Sequence, residues 1–160
     1  MSDSAATIAD YAGLFARAVG ETSGISPHPW QAELARDDNC LDRLIRIPTG
    51  FGKTLGVLTA WLWHRGVRDD ARWPRRLVWC LPMRVLVEQV WHVVQDEWLP
   101  RCQPLFEEAG QPLPGIEILM GGEQDHTWME RPEAPCILVG TQDMLLSAAL
   151  NRGYGMSRYR

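Results

Sequence analysis

"RIPTGFGKT", residues 46–54, places two glycines, a lysine and a threonine between two apolar stretches. The segment before it, "RLIRIP" at 43–48, reads as a strand that stops at Pro48. The segment after it, "KTLGVLTAWLWHRG" at 53–66, reads as a helix closed by Gly66. A loop that leaves a strand and opens a helix is the geometry that holds phosphate. Its backbone N–H groups point into a concavity, and the helix N-terminus adds partial positive charge. Gly50 and Gly52 let the backbone take positive φ and approach an anion closely, with Thr49 and Phe51 completing the loop. Lys53 is placed to reach the β- and γ-phosphates of a nucleotide, and the Thr54 hydroxyl to hold Mg²⁺. The strict form of this pattern asks for a glycine five residues before Gly52. That position is Ile47, so the loop departs from the strict form.

Working outward, Ile8, Tyr11, Leu14, Phe15 and Ala18 recur at helical spacing and predict a helix over 5–19. "ETSGISPHP" breaks it with glycine and proline, and "WQAELARDD" reads as a short helix. Downstream, "RLVWCLP" (76–82) predicts a buried strand and "RVLVEQVWHVVQDEWLP" (84–100) a long helix. "PLPGIEILMGG" (112–122) holds a short strand and "APCILVGT" (134–141) a buried one, followed at once by a helix over "QDMLLSAALN". Strands that are continuously apolar and alternate with helices predict an α/β fold, a mostly parallel sheet with helices on both faces. The organisation expected is a helical leader over 1–25 and one domain over 26–160.

The chain has 160 residues, 46% hydrophobic and 22% charged, which is globular composition with room for a core. Its net charge of −4 excludes a protein that coats nucleic acid through bulk basicity, but not one with a local basic track. The four cysteines suit neither a zinc site nor a disulfide framework, and Cys80 and Cys136, inside apolar runs, read as buried thiols. The eight tryptophans read as core. The acidic N-terminus has no apolar signal core, and no run approaches the roughly 20 apolar residues that span a bilayer, so a soluble cytoplasmic protein without a membrane partner is expected.

"IPTGFGKT" resembles motif I of superfamily 2 helicases. "PHPWQAELA" (27–35) resembles their Q motif, with Gln31 22 residues before Lys53. A glutamine amide donates and accepts together, so it can read the adenine edge. "CLPMRVLVEQV" (80–90) resembles motif Ia, in which Arg84 would pair with a strand phosphate. "LMGGEQ" resembles motif Ib through Gly121 and Gly122, and "VGTQDMLL" resembles motif Ic through Thr141. The last residues, "TQDMLLSAALNRGYGMSRYR", are similar to the CRISPR-associated helicase–nuclease of type I interference systems, as is Phe51 between the two glycines.

This resemblance spans residues 25–160. It implies a RecA-like P-loop fold, here the N-terminal part of the first motor domain and truncated before the Asp-Glu-x-His strand. It implies ATP and Mg²⁺ as cofactors, single-stranded DNA as substrate, and a CRISPR surveillance complex as partner of the parent protein. None of the histidines His28, His64, His92 and His126 is followed by aspartate, so the family's nuclease cluster is missing. The acidic motif is expected after Arg160. Asp96 and Glu97 in "HVVQDEW" fall inside a helical period and read as a solvated helix end. The rival expectations are a P-loop phosphotransferase such as a small kinase, with "RGYGMSRYR" as an arginine-bearing lid, and a truncated fragment without turnover.

Overall fold

The computed structural model describes residues 10–20, 25–120 and 127–150; residues 5–9 of the first expected helix, Gly121, Gly122 and the segment 151–160 lie outside the described residues. In chain order the helices are α1 (Tyr11–Val19), α2 (Pro29–Arg36), α3 (Lys53–Trp61), α4 (Arg84–His92), α5 (Leu99–Glu108), α6 (Thr127–Glu130) and α7 (Gln142–Ala149). The strands are β1 (Arg76–Leu81), β2 (Gly115–Leu119) and β3 (Cys136–Thr141). Wide π-helical turns, Leu62–Val67 and Val93–Trp98, extend α3 and link α4 to α5. The chain forms two compact units, one of residues 1–75 with 96–113, the other of 76–95 with 114–160.

The first unit is helical. α1 begins where the Asp10 carboxylate accepts from the Gly13 N–H at 2.7 Å, and ends at Gly20, whose φ of 79° gives the left-handed turn. Leu14, Phe15 and Ala18 are buried, as the spacing predicts, against α3 and α5. Arg17 also pairs with Glu108 at 2.5 Å, so the leader helix is packed into this unit. α5 was not anticipated, because Pro100 and Pro104 look like breaks. Pro100 sits in the first turn, where a missing N–H costs nothing, and Leu99, Cys102, Leu105 and Phe106 form the buried stripe. Pro104 stands on the exposed face.

The strand expected over 43–48 does not form. Residues 41–48 have no regular structure, and Leu44 is 87% exposed. A strand exists only by pairing its backbone with a neighbour, and apolar sequence cannot substitute for one. The start of the segment is instead held by side chains. Arg43 pairs with Asp37 at 2.5 Å and Glu33 at 3.4 Å, which ties it to α2 and the turn behind it.

The second unit is built on a three-stranded, all-parallel sheet of order β1-β3-β2. Arg76 pairs in register with Cys136, Leu81 with Thr141, and Leu119 with Gly140. α4 packs against all three strands, with Val87 fully buried. Leu119, Cys136 and Leu138 turn to the face where Trp128 of α6 and Met144 and Leu145 of α7 pack. The connection from β1 crosses to the far edge at β2, and the next returns to β3 between them.

Cys136 is buried, and burial pushes its thiol up to about 11. Cys80, expected to be buried, is exposed, because it lies on β1 at the sheet's edge beside Val78, itself 52% exposed. Its apolar neighbours mark an interior strand, yet only β3 flanks it among the described residues. Cys102 is the other buried thiol. Trp61, Trp73 and Trp98 are core residues, as expected, while Trp79 is half-buried. Among the described residues no helix is long and apolar enough to cross a membrane.

Candidate functional site

The glycine loop belongs to the helical unit. Gly50 has φ 88° and Gly52 φ 65°, so both occupy the left-handed region that the sequence reading required of them. Gly52 is the N-cap of α3, and the first helical bond runs from the Gly56 N–H to its carbonyl at 2.8 Å. The N–H groups of Lys53, Thr54 and Leu55 therefore belong to the opening turn, which has no intrahelical acceptors for them. A Cβ placed on Gly50 would meet nothing within 4 Å, so the backbone there borders open space.

Lys53 is exposed, and its ammonium folds back over the loop to donate to the Pro48 carbonyl at 2.9 Å. That contact uses one of three ammonium donors. Thr54 is half-buried in the first turn of α3, and Phe51 is exposed between the glycines. The arrangement presents open backbone donors, a cation and a hydroxyl together at the start of α3. It lacks one feature of the sequence reading, since the strand that should feed the loop is irregular chain.

Gln31 stands beside the loop and is 1% exposed. Its Oε1 accepts from the His28 N–H at 2.8 Å, and its Nε2 donates to the Gly52 carbonyl at 3.2 Å. Both ends of the amide are thus engaged by main chain. Two residues that the sequence reading passed over shape this corner. Gly56 lets α2 and α3 approach, because a Cβ there would come within 2.4 Å of Trp30 Cη2. A glycine inside an otherwise apolar helical run was the available signal. His28 brings its ring to 5.4 Å from that of Phe51, tilted by 43°.

The second unit carries the residues expected to meet nucleic acid. Arg84 is the first residue of α4 and exposed, and Thr141 is the last of β3 and half-buried. The Leu81–Thr141 register puts both at the carboxyl end of the sheet, the end where open α/β sheets bind ligands. Asp96 and Glu97 lie on an exposed helical turn, and Glu97 pairs with Arg101 at 3.3 Å. They do not end a strand.

Comparison of the chain with family models, with curated proteins and with solved structures found no match in any of the three.

Proposed function

We propose that this chain is the ATP-binding part of an ATP-dependent nucleic-acid helicase or translocase, the N-terminal part of a RecA-like motor domain, serving a CRISPR type I interference system in the cytoplasm. The observation that carries the reading is the loop itself. Gly50 and Gly52 hold left-handed conformations directly before α3, with Lys53 over the loop and Thr54 in the first turn.

In this reading the opening N–H groups of α3 and the Lys53 ammonium bind the β- and γ-phosphates, and the Thr54 hydroxyl is a ligand for Mg²⁺. The metal, when bound, neutralises charge on those phosphates. Arg84 and Thr141 hold the backbone of single-stranded DNA together with Gly121 and Gly122, which lie between them in the chain, and a CRISPR surveillance complex delivers that strand to the parent protein. Asp96 and Glu97 take no part in orienting water, so the 160-residue chain is expected to bind nucleotide weakly and not to turn it over.

The test is equilibrium binding of Mg²⁺-ATP to the chain and to Lys53→Ala. A charge-assisted contact contributes roughly 1.5–3 kcal/mol, so the variant should bind about ten- to a hundredfold more weakly. Equal affinity at equal folding would remove the phosphate reading.

A further inference from the structure

We draw no further inference here: the strongest candidate, the apolar cleft between the outer edge of β1 and α7 that Val78, Cys80, Leu138 and Leu146 line, carries nothing because nothing in the structure shows what covers it.

Discussion

The Nε2 of Gln31 donates to the carbonyl of Gly52 at 3.2 Å, so one buried side chain of α2 ties down the last residue before α3. Gln31→Ala leaves the His28 N–H and the Gly52 carbonyl without this partner. The Gly52 carbonyl keeps the Gly56 N–H, so the loss is that of two part-buried hydrogen bonds, about 0.5–1.5 kcal/mol each. Urea denaturation should show a lower midpoint for the variant, and an unchanged midpoint would mean that the loop holds its shape without the amide.

Gly56 and Gly50 should respond to alanine for opposite reasons. In the middle of a helix, Gly→Ala gains up to about 1 kcal/mol of propensity. At Gly56, however, the added carbon would lie 2.4 Å from Trp30 Cη2 and 2.9 Å from the Gln31 side chain. Overpacking of this kind costs about 1–3 kcal/mol, and it displaces the residue that anchors the loop. Gly56→Ala should therefore lower both stability and triphosphate affinity. Gly50→Ala meets no atom within 4 Å and should cost only about 1–2 kcal/mol, from its φ of 88°. Thermal melts of the two variants check this, and a Gly56→Ala protein more stable than the parent would contradict the packing.

How much of this was legible follows from where each signal lies. The left-handed glycines, α3, and the strands β1, β2 and β3 could be read because their cues are local: turn residues, caps and continuous apolar runs. Residues 43–48 carry the same apolar cue, but pairing is not local, and no neighbour strand joins them among the described residues. Cys80 failed for the related reason that an edge position is set by strand order, which composition does not encode. α5 was hidden by two prolines: Pro100 is harmless by its register in the first turn, while the cost of Pro104 inside the helix is outweighed by the buried stripe. Gln31 was found by spacing, but its burial and its two main-chain partners are tertiary facts.

His64 should make stability depend on pH. Its ring is fully buried, stacks on Trp73 at 4.2 Å, and has no hydrogen-bond partner on either nitrogen. Burial lowers its pKa most, and Arg68 works in the same direction, while the nearby Leu34 main chain, Asp70, 4.0 Å away, and Asp38 oppose it. With the folded pKa below the unfolded one, the unfolded chain takes up the proton first. Stability is therefore undiminished above pH 6.5, the usual histidine value, and falls as the pH drops below it. Asp70, held down to about 2 chiefly by Arg72, loses its contribution separately, from its usual 3.8 downward. Denaturation midpoints at pH 7.5 and 5.5 should differ for the parent and much less for His64→Phe. Equal shifts in the two proteins would show that another group is responsible.

Arg84 is exposed at the start of α4, so Arg84→Ala should leave the fold intact. If it holds one phosphate of single-stranded DNA, the variant should bind all sequences more weakly. The slope of log affinity against log salt should then be flatter by about 0.7. A salt titration that gives identical slopes would reduce Arg84 to a helix-end charge.

The central claim is that residues 50–54 hold a nucleotide's phosphates. The most direct measurement is an amide NMR titration of the chain with Mg²⁺-ATP, repeated on Lys53→Ala. The account predicts saturable shifts at the backbone N–H groups of Gly50, Gly52, Lys53 and Thr54, reproduced by tripolyphosphate and greatly weakened in the variant. Shifts that leave these amides untouched, or that are the same in Lys53→Ala, would contradict it.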